Sequence, residues 1–197
     1  MKVMWDQRYS EKGYVYGRMP NNFLKNFIDN EPPARILLPG EGEGRNAVYA
    51  ARKGWQVFAV DLSEEGKKKA LTWAHQNNVE IDYQVADLNT WNAPLMVECV
   101  ALVYTHFSSA FRLQIHQKLI DKLIPGGFFI LEAFSKKQIN YDSGGPKNID
   151  MLYDEKLLKE DFKSLKIDFL QERVIDLDEG RFHRGEASII RMIAKKK

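Results

Sequence analysis

Arg35-Ile36-Leu37-Leu38-Pro39-Gly40-Glu41-Gly42-Glu43-Gly44-Arg45-Asn46-Ala47, continued to Val57-Phe58-Ala59-Val60-Asp61, is the stretch that decides the fold. Ile36 to Leu38 form the unbroken apolar run of a strand buried on both faces. Gly40, Gly42 and Gly44 let the backbone turn tightly and approach a ligand with no side chain in the way. Ala47, Val48, Ala50 and Ala51 continue as a helix that stops at Gly54. Val57 to Val60 make a second buried strand, and Asp61 closes it with a carboxylate. Strand, glycine turn, helix and strand form a nucleotide-type cradle whose terminal acid can accept hydrogen bonds from a ribose.

The spacing narrows the ligand. A dinucleotide fingerprint, G-x-G-x-x-G/A, asks for a small residue at position 45, where Arg45 stands. Without a pyrophosphate to cradle, the expected ligand is a nucleoside carrying an amino-acid tail. With its G-x-G-x-G-R-N turn the chain resembles the class I S-adenosylmethionine (SAM) methyltransferases, and looks closest to the small bacterial tellurite-resistance and thiopurine-type branch. The opening segment is similar to the W-x-x-R-Y … Y-x-Y-G-x-x-P-N pattern of that branch, matched by Trp5, Arg8, Tyr9, Tyr14, Tyr16, Gly17, Pro20 and Asn21. In the family this segment folds over the cofactor, and aromatic faces suit a sulfonium cation.

Composition sets the outer bounds. A chain of 197 residues can bury one good core and reads as a single domain, with residues 1–30 as an arm and helix over the cofactor. A net charge of +2 gives no argument for a polyanionic partner, so no nucleic acid is expected. The single cysteine, Cys99, excludes an intramolecular disulfide framework or a multi-cysteine metal site and suits a reducing cytoplasm. The amino terminus lacks the apolar core of a signal peptide, and no run approaches membrane-spanning length.

Further along, Pro20 opens a helix with Phe23, Leu24, Phe27 and Ile28 on one face, ending before Pro32-Pro33. Ser63 caps the next helix, where Glu64–Lys68 and Glu65–Lys69 pairs make the Lys67-Lys68-Lys69 triplet a solvated face. Ile81, Tyr83 and Val85 alternate as a third strand leading to Asp87-Leu88. Cys99 to Tyr104 form a fourth strand delivering Thr105-His106-Phe107. A helix carrying Phe111, Ile115, Leu119 and Leu123 runs to Pro125-Gly126-Gly127, and Phe128 to Glu132 make a fifth strand. Residues 135–152 show no clear periodicity and read as a lid loop. A helix over about 154–162 precedes two antiparallel strands joined by the turn Asp178 to His183, and the Lys195-Lys196-Lys197 tail reads as frayed. The alternation gives an α/β, Rossmann-like, doubly wound seven-stranded sheet, mostly parallel with an antiparallel last strand and helices on both faces.

The site expectations follow from the carboxyl edge of that sheet. Cofactor contacts are expected from Tyr9, Tyr16, Gly40, Glu41, Gly42, Gly44, Asn46, Asp61, Leu62, Asp87, Leu88 and Thr105. The resemblance gives Asp87 the adenine amine; its other reading is a turn cap. Many family members carry an acid two residues before the first glycine, on the SAM amino group. Leu38 stands there, so Glu41 or backbone carbonyls are expected to substitute. His106, His183 and Tyr141 are candidate general bases, with Phe107, Phe134 and Arg181 at the substrate rim and no metal. Methyl transfer from SAM to a small molecule by in-line displacement, yielding S-adenosylhomocysteine, is the leading reading. A non-catalytic SAM- or nucleoside-binding protein of the same fold is the alternative, and an NAD(P)-dependent oxidoreductase is disfavoured by Arg45.

Overall fold

The computed structural model describes residues 2–197. A seven-stranded sheet in the order β3-β2-β1-β4-β5-β7-β6 forms its middle layer. The first three strands are β1 (Arg35–Pro39), β2 (Gln56–Asp61) and β3 (Asp82–Val85). The others are β4 (Val97–Val103), β5 (Leu123–Phe134), β6 (Leu165–Asp178) and β7 (Arg184–Lys196). Strands β1 to β5 pair in parallel, while β7 runs antiparallel to both β5 and β6. The order reverses between β1 and β4, and the site belongs at the carboxyl ends beside that reversal.

Alternation along β1 separates the two faces. Ile36 and Leu38 meet Leu24 and Ile28 of α2 (Asn22–Asn30) and Ala47 and Ala50 of α3 (Arg45–Arg52). Leu37 faces the other way, into a cluster with Ile115 and Leu119 of α5 (Ser109–Asp121) and Leu158 of α6 (Glu155–Asp161). Burying a side chain of this size contributes about 1.5–3 kcal/mol, so two-sided burial selects the continuous apolar run. Helix α4 (Glu64–Gln76) begins where Ser63 Oγ accepts the Gly66 N–H at 3.0 Å, with Ala70 packed on Ala59 and Tyr83. Helix α2 is capped by Asn21, which accepts the Leu24 N–H at 3.1 Å.

Several sequence expectations are corrected. Residues Lys2–Tyr9 form a helix, α1, which has only Tyr9 buried and so leaves little apolar periodicity to read. Leu123 is not the last turn of α5: it pairs with Val97 and opens β5, and the Pro125-Gly126-Gly127 segment sits at a register irregularity. Phe111 is 49% exposed rather than aligned with buried Ile115. The 135–152 segment carries 3₁₀ turns at Lys136–Asn140 and Ile149–Met151. The basic tail is ordered to Lys196, whose ammonium donates to the Ile120 and Leu123 carbonyls at 3.1 and 2.7 Å. Lys68 pairs with Glu65, whereas Lys69 turns inward to Glu43 at 2.8 Å and leaves the solvated face.

Candidate active site at the carboxyl edge

The glycine turn joins β1 to α3 with its carboxylates facing different partners. Asp61, 8% exposed, accepts the Gly42 N–H at 3.0 Å and the Ser63 N–H at 2.9 Å, binding the end of β2 to the turn. Gly42 has φ +63°, and a Cβ there would lie 2.5 Å from the Tyr9 hydroxyl, so only glycine allows this approach. Tyr9 covers Gly42, and burial together with Asp61, Glu43 and Glu41 pushes its phenol well above the usual range. Gly40 and Gly44 flank it, with Thr105 Oγ1 donating to the Pro39 carbonyl at 3.3 Å and Ala70 packed against Gly44.

Glu41 does not point outward to receive an ammonium group. One oxygen accepts the Asn46 and Ala47 N–H groups at 2.8 and 2.7 Å, capping α3, and the other takes the Asn46 amide at 3.4 Å. Asn46 in turn accepts the Asn21 N–H at 2.9 Å. Burial raises the Glu41 carboxyl to about 7, against the pull of those donors. The folded protein therefore holds this proton more tightly than the unfolded chain. That stabilisation is full below the ordinary value of 4.5 and is lost as pH rises through about 7. Relative to Glu41→Gln, the wild type is expected to lose on the order of 2–3 kcal/mol between pH 5 and pH 8, measured by urea unfolding. An unchanged difference would contradict it.

Beyond the turn lies an aromatic box at the ends of β4 and β5. The His183 ring lies 4.6 Å from Tyr16, 4.6 Å from Tyr104 and 5.1 Å from Phe134. Its Nδ1 is buried without a hydrogen-bond partner, 3.8 Å from Glu179. Burial and the nearby positive charge of Arg45 lower its pKa, overriding Glu179, and keep the imidazole neutral at pH 7. Despite its own burial, Glu179 is held at about 2 by His183 and by Arg45, which it meets at 2.8 Å. Tyr104 has a left-handed backbone, φ +49°, the kind of strain that surrounding contacts must hold. Its N–H and hydroxyl both donate to Glu132, to the carbonyl and the carboxylate, each at 2.7 Å.

Other expected residues are placed by their own contacts. His106 is committed on both nitrogens, to the Met151 carbonyl at 2.8 Å and the Phe134 N–H at 3.3 Å, and burial lowers it to about 4, so it is not a free base. Phe107 turns away from the rim onto His116, 6.0 Å between ring centres. Leu88 is packed in the α5-side core. Asp87 is exposed and accepts the Asn89 N–H at 2.8 Å, the turn-capping role. Leu62 is half-buried next to Asp61. Tyr141 closes a 3₁₀ turn through its N–H to Gln138. Arg181 is exposed, paired with Glu11 and stacked over Phe182. Tyr104, Glu132, Glu179, Glu43 and Lys69 were not expected as site residues. The signal for Glu132 was an acid ending the apolar run Phe128–Leu131.

Residues 36–127, from β1 through the start of β5, match the family model described as a methyltransferase domain. Over those residues the chain carries a methyltransferase domain. The fold of the whole chain is shared with solved methyltransferases. TehB from Haemophilus influenzae superposes with a TM-score of 0.75 at 19% identity, covering 100% of this chain and 67% of that one. A SAM-dependent methyltransferase from Clostridium acetobutylicum gives 0.68 at 14% identity, covering 98% and 96%. Magnesium protoporphyrin IX methyltransferase from Synechocystis with bound S-adenosylhomocysteine gives 0.69 at 14%, covering 99% and 94%. No curated protein sequence matches the chain. SAM, the cofactor of such methyltransferases, fits the residues present: Asp61 closes β2 beside the glycine turn with a lone pair left on each carboxylate oxygen for a ribose hydroxyl, and Gly42 leaves the backbone bare for close approach.

Proposed function

We propose that this methyltransferase moves a methyl group from SAM to a small-molecule acceptor seated at the aromatic box around His183. When bound, SAM supplies an electrophilic methyl group on a sulfonium centre. Asp61 would hold the ribose and the bare backbone of the glycine turn would take the rest of the donor, while Tyr9 and Tyr16 exclude water. One observation carries the reading: Tyr16 bridges the two halves, 6.4 Å from Tyr9 over the cradle and 4.6 Å from His183 in the box. An acceptor in the box therefore approaches the donor along an aromatic wall that holds it in the orientation in-line displacement requires. Neutral His183 has an unpartnered nitrogen for the proton an O–H, N–H or S–H acceptor gives up.

Buried, unpaired Cys99 accords with action in the reducing cytoplasm. Among the described residues no helix is long and apolar enough to cross a membrane.

The test is turnover of methyl-labelled SAM over a panel of thiols, amines, phenols and metalloid oxyanions. Labelled product from at least one class is expected, and His183→Phe, which keeps the ring packing, is expected to lower its rate about 100-fold or more with S-adenosylhomocysteine affinity unchanged. Full activity in His183→Phe would remove His183 from the chemistry. Saturable SAM binding without turnover on any acceptor would contradict the proposal.

A further inference from the structure

The cradle is shut in this structure. Tyr9 is 5% exposed, wedged between Gly42 and Gly66: a Cβ on Gly66 would lie 3.1 Å from its ring. Trp5 stacks on Tyr9 at 5.4 Å, and Asp6 accepts from Ser63 Oγ at 2.6 Å. Two surface hollows lie elsewhere, against α6, and no cradle residue lines either. A nucleoside-sized ligand reaches Asp61 only if residues 2–17 move, so what fastens this arm governs entry.

The fastening is built from residues of the turn and of α4. Glu43, 4% exposed, accepts the Val15 N–H at 2.7 Å and the Tyr16 N–H at 3.4 Å through one oxygen. Its other oxygen receives the Lys69 ammonium at 2.8 Å. Lys69 also donates to the arm itself, to the Glu11 and Gly13 carbonyls at 2.8 and 2.5 Å. Both charges of one buried pair are thus spent on the backbone of residues 11–16. Hydrogen bonds to charged groups are the strong ones, and truncating one partner leaves the other buried and unpaired.

The arm is fastened equally to the acceptor side. The Val15 carbonyl accepts the Arg181 N–H at 3.0 Å, so Val15 is bonded to the glycine turn through its N–H and to the β6–β7 turn through its carbonyl. Gly180, at φ +87°, lies so close that a Cβ would sit 2.6 Å from the Val15 carbonyl oxygen. Arg181 pairs with Glu11, and the Arg8 guanidinium covers the Phe182 ring at 4.8 Å. The arm cannot leave the cradle without either breaking its backbone bond to the turn that carries His183 or taking that turn with it.

We propose that Glu43 and Lys69 are positioning residues that latch the arm, and that the arm and the 179–183 turn act as one lid, so that the cofactor and acceptor sites open in a single event. The latch stands on contacts of the free protein; the assignment of the two sites rests on the methyltransferase reading. Neither residue need touch either ligand.

Hydrogen exchange on the full-length chain, without ligand, tests this. In Lys69→Met the amides of residues 11–16 and 180–183 are expected to lose protection together, by about 10-fold to 100-fold, while β1, β4 and β5 keep theirs. Lys69→Arg, which retains the charge, is expected to restore most of the protection, and Glu43→Gln to reproduce the loss should Lys69→Met fail to fold. Loosening of the arm alone, or of neither segment, would overturn the single-lid proposal, as would failure of Lys69→Arg to restore protection. Added S-adenosylhomocysteine is expected to slow exchange in both segments of the wild type. Coupled loosening with no such response would support the lid while contradicting the methyl-donor reading.

Discussion

Glu132→Ala is expected to remove about 3–5 kcal/mol of folding stability, because it leaves a buried cation without its partner. Glu132 is 1% exposed, and its carboxylate accepts from Asn21 Nδ2 at 2.6 Å, Tyr104 Oη at 2.7 Å and Arg191 Nε. The arginine side chain is itself only 16% exposed, so water cannot readily replace the lost acceptor. Asn21 is the cap of α2 and the partner of Asn46, and Tyr104 needs Glu132 to hold its left-handed backbone; the loss therefore spreads to both halves of the site. Glu98→Ala is the control. Its pair with Arg35 lies at the surface, with side chains 32% and 41% exposed, and is expected to cost about 1 kcal/mol or less. Chemical denaturation of the two variants measures the contrast, and equal losses would refute the hub role of Glu132.

Asp61→Asn is expected to weaken SAM and S-adenosylhomocysteine binding by about 100-fold, since hydrogen bonds to an ionised acceptor are worth about 1.5–3 kcal/mol each. Asp61 already receives two backbone N–H groups, from Gly42 and Ser63, yet each carboxylate oxygen keeps a further lone pair for a hydroxyl. Asparagine preserves the shape but loses the charge and one acceptor. Its effect on folding stability is expected to be about 1 kcal/mol, as for one net hydrogen bond, so titration calorimetry separates affinity from folding. Unchanged affinity would place the ribose elsewhere.

How much of this was legible depended on whether the deciding physics was local. The run from Arg35 to Asp61 was readable because a strand buried on both faces needs consecutive apolar residues and the turn needs glycine. The parallel order and the return of the last turn to the carboxyl edge followed from alternating strands and helices. Glu41 and Glu43 illustrate the limit. They share one neighbourhood, Gly-Glu-Gly-Glu-Gly, yet one caps α3 and the other grips the arm, a choice made by backbone direction within the turn. His106 and His183 divide in the same way: both lie near the rim, but distant backbone groups at Met151 and Phe134 consume the nitrogens of His106. Lys69 falls four residues after Glu65, the spacing of a surface pair, and only the packing of α4 beside the turn turns it toward Glu43. Such assignments depend on contacts between residues far apart in the chain, which no local pattern records.

Titration calorimetry of the wild-type chain with S-adenosylhomocysteine and, separately, NAD is the most direct test of the central claim. One saturable S-adenosylhomocysteine site per chain, weakened about 100-fold in Asp61→Asn, is expected, with no NAD binding. NAD binding at that site, with none of S-adenosylhomocysteine, would contradict it.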